Sequence, residues 1–220
     1  GTDEASRLFG QAVTLSRQVE RNRVALARIE EDPNPSPENL MRARLLRADH
    51  SPVTFIDTAG CGYQEKQDPE TLSRMNVEEA SLLMQQVEVL VEDIGVNTWL
   101  DEQITMGIIT PYNAQVDQLH KLAEISAVLE PLHRYITINT VDAFQGQERD
   151  VIVISFVRSN DNGEVGFLSD IRRTNVAMTR ARKKLIMIGD SATLSSHPFY
   201  LKLLEFVQEE GFYRSAFELT

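Results

Sequence analysis

The residues able to do chemistry collect in three segments: GIITPYNAQ (107–115), TVDAFQGQERDVIVISFVRSN (140–160) and RRTNVAMTRARKKLIMIGD (172–190). The third carries Arg173 and Arg180, whose guanidinium groups are permanently charged and fork onto phosphate oxygens. The second carries Glu148, a carboxylate acceptor that could instead belong to a surface charge cluster with Arg149 and Asp150, two residues after Gly146, where the missing Cβ permits close backbone approach to a ligand. Gln145 stands in the same turn, as ligand contact or as loop structure. Thr110 and Thr140 bring hydroxyls that can donate to phosphate, and Pro111 brings an apolar face for sugar or base. Tyr112 either stacks on a base or lies half buried against a strand end. Asn175 is open between a ligand contact and a structural role, and Arg158 is a candidate for contact with another domain.

Spacing excludes other phosphate and metal chemistries. A P-loop, GxxxxGK[ST], needs a glycine followed by lysine, and no glycine of this chain is. DTAG (57–60) imitates a loop of small GTPases, yet with no P-loop and no NKxD it reads as a strand exit in which Gly60 and Gly62 supply turns. DEAS (3–6) imitates a magnesium-binding box but follows no apolar strand, so its acids read as a helix amino terminus. Cys61 is the single cysteine, and His50, His120, His133 and His197 lie far apart, so neither a disulfide scaffold nor a metal site is expected.

Those segments need elements to hold them. With 220 residues, 42% hydrophobic and 25% charged, the chain is long enough for a well-buried core and too apolar for a disordered acidic tail. The first fifty residues read as helix. Leu8, Ala12, Leu15, Val19, Asn22, Leu26 and Ile29 form a heptad stripe, DPNPSPEN (32–39) breaks it, and Ser36 with Pro37 opens a second helix through about Ala48. From Ser51 onward short apolar runs, VTFID (53–57), MGIIT (106–110), YITINTV (135–141), VIVISFV (151–157) and KLIMIGD (184–190), read as strands buried on both faces. Amphipathic helices alternate with them. One starts at Asn76 in a capping-box arrangement with Glu79, one surrounds Val116–Leu119, and one surrounds Leu201–Val207. Such alternation predicts a doubly wound, mostly parallel α/β sheet over 51–220 with a helical arm over 1–50.

The net charge of −11 argues against a nucleic-acid partner at long range. Its distribution weakens that inference. Arg172, Arg173, Arg180, Arg182, Lys183 and Lys184 cluster with no acid among them, which predicts a basic patch on an acidic body.

Taken together, the three segments resemble motifs IV, V and VI of superfamily 1 helicases, in the branch that holds the nonsense-mediated-decay helicase and its DNA-replication and immunoglobulin-switch-region relatives. The resemblance covers roughly residues 51–215 and implies the second of two RecA-like domains. It implies that ATP and Mg2+ are shared with a first RecA-like domain, that Arg180 contacts the γ-phosphate, and that Glu148 binds the ribose, with Gln145, Gly146 and Arg173 nearby. It also implies a grip on single-stranded DNA or RNA through Thr110, Pro111, Tyr112, Thr140 and Asn175. The first domain's P-loop, acidic box and QYRMHP stretch are not found in this sequence, so this chain is expected to need that domain for turnover. A non-catalytic RecA-like module binding nucleic acid or protein is the alternative, and the set Gln145, Glu148, Arg173 and Arg180 argues for the motor. No run approaches a membrane span and no signal peptide is seen, so an intracellular, cytoplasmic protein is expected.

Overall fold

The structure, a computed structural model, describes residues 24, 27–29, 31–36, 39, 43, 52–144 and 147–219. Most of the expected helical arm over 1–50 lies outside the described residues, as do Gln145 and Gly146. Of the arm's apolar positions that are described, Ile29 and Ala43 are buried.

β1 (Val53–Asp57) is followed by a short antiparallel ribbon, β2 (Lys66–Gln67) and β3 (Arg74–Met75). Then come α1 (Val77–Ile94), α2 (Val96–Asp101), β4 (Met106–Thr110), α3 (Asn113–Ile125), β5 (Ile136–Thr140) and β6 (Arg149–Ser155). α4 (Ile171–Met178), β7 (Ala181–Gly189), α5 (Ser191–Leu194), α6 (Pro198–Glu210) and β8 (Phe212–Ser215) complete the order. The main sheet has six strands in the order β5-β4-β6-β7-β1-β8, and every pairing in it is parallel. All five expected strands form, and three differ at their ends, β5 being one residue shorter at each end. β6 starts at Arg149 and stops at Ser155, because Val157 takes φ 71° and turns the chain out of the ladder. β7 starts three residues early, at Ala181, beside Arg149. β8 and the ribbon are additions.

Side-chain alternation along the strands divides the core into two layers. Ile108, Val151, Val153, Ile186 and Ile188 face one side with Leu83 and Val87 of α1, Trp99 of α2 and Leu119 of α3. Ile109, Ile152, Ile154, Leu185 and Met187 face the other with Ala177 of α4 and Phe199, Leu203 and Val207 of α6. Each fully buried aliphatic or aromatic side chain stabilises by about 1.5–3 kcal/mol, so both layers contribute to holding the sheet between them. The strand runs are apolar throughout because they serve both faces.

The expected cap at Asn76 forms: its Oδ1 accepts the Glu79 amide at 3.0 Å. The reciprocal half of the box does not. The Asn76 amide donates instead to Gln115 Oε1 at 2.8 Å, and the Glu79 carboxylate turns into the core. Asp57 of DTAG accepts from the Ser191 amide and hydroxyl and from the Tyr213 hydroxyl, while Gly60 and Gly62 take φ +79° and +74°, as a strand exit requires.

Candidate functional site

Because the strands are parallel, their amino ends share one edge of the sheet and their carboxyl ends the other. The seven residues of β6 set these edges about 20 Å apart. The sequence-predicted site residues divide between them.

At the amino edge the Arg149 amide donates to the Arg180 carbonyl at 3.0 Å, which joins the end of the second segment to the end of the third. Glu148 precedes that link and lies exposed, its Oε2 3.3 Å from Arg182 Nε. Arg180 is half-buried and its Nε donates to the Val176 carbonyl at 3.2 Å, where α4 ends. The two terminal nitrogens of Arg180 have no partner among the described residues, and neither has Glu148 Oε1. A guanidinium fork and a carboxylate oxygen thus face outward from neighbouring backbone positions.

At the carboxyl edge Thr110 ends β4 and Thr140 ends β5, side by side in register. Thr140 is partly exposed, and its amide is held by Asn139 Oδ1 at 2.8 Å. Thr110 is fully buried and its hydroxyl has no partner, so the phosphate contact expected of that hydroxyl is not open to solvent in this arrangement. Pro111 remains partly exposed. Tyr112 is 4% exposed and its ring lies 5.5 Å, centroid to centroid, from Phe167, which corrects the expectation that Tyr112 offers a face to a base. Arg173 projects from α4, half exposed, 3.6 Å from Asp142. Both polar atoms of the Asn175 amide are shielded without a partner, a costly arrangement for a group that could otherwise bond water.

Between the edges, a 3₁₀ turn over Val141–Phe144 leads the chain back from Thr140 toward Glu148. Phe144 is fully buried against Gly107, where an added Cβ would lie 2.7 Å from the ring. This glycine lets the second segment seat on β4.

Two groups missed by sequence reasoning set the shape of the carboxyl edge. Gln115, fully buried, bonds the Asn76 amide and carbonyl and the Ser155 hydroxyl, tying α3, α1 and β6 together. Glu79, also fully buried, accepts from the Ser155 hydroxyl at 2.6 Å and the Val157 amide at 2.9 Å. Burial pushes its carboxyl up to about 7 against the lowering effect of those donors. The only sequence signal for Gln115 was its place in GIITPYNAQ, and for Glu79 the capping-box spacing.

Two expectations are corrected by pairing. Arg158 is 2% exposed, its Nε 2.7 Å from Glu65 Oε2, so it serves this domain and is not presented to another. Arg180 apart, the basic stretch 172–184 is neutralised by pairing or burial and is not an open patch. Arg172 pairs with Asp170, Arg173 with Asp142, Arg182 with Glu148 and Lys183 with Asp150, while Lys184 is fully buried. Alternation between a helix and a strand sends these cations to different neighbours.

A wholly parallel sheet clothed on both faces, with ligand-competent groups along its edges, defines a RecA-like α/β domain. The family described as AAA domain matches residues 14–192. DNA-binding protein SMUBP-2 of Rattus norvegicus is 41% identical over 167 residues, covering 76% of this chain and 16% of the relative. DNA polymerase alpha-associated DNA helicase A of Saccharomyces cerevisiae is 41% identical over 145 residues, 65% of this chain and 20% of the relative. An ATP-dependent helicase of Methanocaldococcus jannaschii is 40% identical over 162 residues, 72% of this chain and 21% of the relative. The chain belongs to this AAA-domain family, in the superfamily 1 helicase branch of these relatives, and represents their second-domain region. It spans 16% to 21% of their length. Among the described residues no helix is long and apolar enough to cross a membrane.

Proposed function

We propose that this chain is the second motor domain of an ATP-dependent helicase, completing a composite ATP site at its amino edge and holding single-stranded DNA or RNA at its carboxyl edge. The observation that carries the reading is the backbone bond from Arg149 to Arg180, which sets Glu148 and Arg180 beside each other with open valences. A guanidinium fork suits phosphate oxygens and a carboxylate suits ribose hydroxyls, so the donor set fits half of a nucleotide site. A lone carboxylate beside arginines is a poor ligand set for magnesium, so the divalent cation of such a site would be held by the first RecA-like domain. ATP supplies the free energy of phosphoryl transfer. Arg180 stabilises charge developing on the transferred group and Glu148 fixes the sugar.

At the other edge Thr140 and Pro111 lie where backbone and sugar would pass, with Arg173 as the nearby cation. The turn over Val141–Phe144 and helix α4 both run from that edge to the nucleotide edge, so a shift at one is delivered to the other. The division into a helical arm over 1–50 and the RecA-like domain over 51–220 belongs to this reading. The test is ATP hydrolysis by the chain joined to the first RecA-like domain, with and without single strands. Strand-stimulated turnover that Arg180→Ala abolishes supports the assignment, and turnover unchanged by that substitution refutes it.

A further inference from the structure

We propose that Phe167 is the platform of a nucleobase subsite, its ring taking the face of one base of a single strand whose backbone passes Pro111. The inference rests on the strand-binding reading of the carboxyl edge and adds to it a residue outside the three segments. Phe167 is 62% exposed, an unusual setting for a large aromatic beside a cleft. The cleft itself is almost wholly apolar, formed by Ile109, Pro111, Val141 and Leu168 with Phe167 on its wall and Arg173 at its rim.

The ring is presented by rigid surroundings. It sits in the 3₁₀ turn Gly166–Ser169, which is anchored on both sides of the ring. Gly166 takes φ +54°, and a Cβ there would lie 1.8 Å from Arg158 Nη1 and 3.0 Å from the Tyr112 hydroxyl, so the backbone is pressed onto two buried side chains. Leu168 is buried, and its carbonyl accepts the Tyr200 hydroxyl at 2.8 Å. Tyr112 supports the ring from below at 5.5 Å with planes inclined by 41°. The chain thus keeps a phenyl group outward between fixed points.

The chemistry of the rim selects the occupant. Arg173 is half exposed and its ion pair with Asp142, at 3.6 Å, is loose enough to yield to a phosphate. The cleft holds about 30 Å³, too little to enclose a base, so the base lies against the exposed ring face with the cation beside its backbone, and stacking on an aromatic face accepts any base. Phe217 is comparably exposed but packs over Gly60 at a different part of the molecule, so it does not share the cleft.

The test uses the chain joined to the first RecA-like domain, with oligo-dT and oligo-U as probes and Ile125→Ala, another exposed apolar residue, as control. Phe167→Ala is expected to weaken strand binding by about tenfold, with Phe167→Trp restoring it. The salt dependence of binding and the nucleotide affinity without strand should stay unchanged, because no phosphate contact is lost, and the melting temperature should fall only slightly with the ring contact to Tyr112. A strand carrying one abasic nucleotide, walked along its length, should find one position where the wild type loses what Phe167→Ala has lost and the variant loses nothing more. Strand binding unchanged in Phe167→Ala, with Thr140→Ala still weakening it, overturns this inference and leaves the strand-binding reading intact. A fall in nucleotide affinity without strand also overturns it, since the ring would then be touching the first domain. No strand binding by the wild type at all overturns both.

Discussion

Glu79 Oε1 accepts the amide of Val157 at 2.9 Å, and Val157 holds φ 71°, a left-handed conformation that a β-branched residue rarely adopts. The Asn76 side-chain amide donates to the Val157 carbonyl at 3.4 Å, so the bend after β6 is clamped from both sides by the start of α1. That clamp includes a carboxyl group with no contact to water.

Its titration gives the first prediction. The Glu79 carboxyl titrates near 4.5 in the unfolded chain and near 7 in the folded one, raised chiefly by burial. Between those values the unfolded chain releases a proton that the native state keeps, so stability from this residue is full below pH 4.5, falls as pH rises, and levels off above about pH 7. The whole change is of order 3 kcal/mol. Glu79→Gln keeps the acceptor and removes the titration. Urea unfolding across this range should show the variant gaining on the wild type as pH rises, and parallel curves would count against the assignment.

Glu148→Gln separates function from stability. The Glu148 to Arg182 pair is exposed, with both side chains more than half accessible, so the melting curve should move by less than about 1 kcal/mol. Nucleotide affinity of the two-domain protein should fall severalfold while strand affinity without nucleotide holds. Equilibrium titration with a fluorescent nucleotide and a labelled strand measures both.

Gly107→Ala tests the seat of the second segment. The new methyl group would lie 2.7 Å from Phe144 and 2.8 Å from Ile152, and overpacking of this kind costs about 1–3 kcal/mol. Displacing Phe144 moves the turn that links Thr140 to Glu148. Strand stimulation of ATP hydrolysis should therefore drop more than basal hydrolysis does.

Glu65→Ala should be the most destabilising of these changes. Glu65 receives Arg74 on Oε1 at 2.6 Å and Arg158, the Ser159 amide and the Asn160 amide on Oε2. Its loss leaves buried Arg158 with only a loose 3.8 Å contact to the exposed Glu164 carboxylate, at a cost of about 3–5 kcal/mol. Denaturant unfolding measures it, and Glu65→Gln, which keeps acceptors in place, should lose less.

The strands β1 and β4 were legible to the residue, because a β-branched run bounded by polar residues is a local signal. β8 was not: FYRS has no such run, and its strand character comes from pairing with β1, Thr54 against Phe212. The three chemical segments were legible for the same local reason, and the parallel sheet then dictated which edge each would reach. What failed depended on distant contacts. Gln115 took the amide that Glu79 was expected to bond, and the turn at Gly166 closed Tyr112 and Arg158 away from solvent. Phe167 left no trace in the sequence, since an exposed aromatic in a glycine-flanked loop reads like any other loop residue.

The strand order has a consequence for how the molecule is made. β1, the first strand of the described chain, lies between β7 and β8, with Val53 opposite Leu185 and Thr54 opposite Phe212. On a ribosome it emerges with both neighbours still unsynthesised, whereas β4, β5 and β6 can associate among themselves much earlier. An apolar ribbon waiting that long is a target for chaperones and for wrong pairing with another nascent copy. Folding yield should then depend on translation through β7 and β8 more than on any event near the chemistry, and a ribosome stalled just before Ala181 should display a β1 still open to protease.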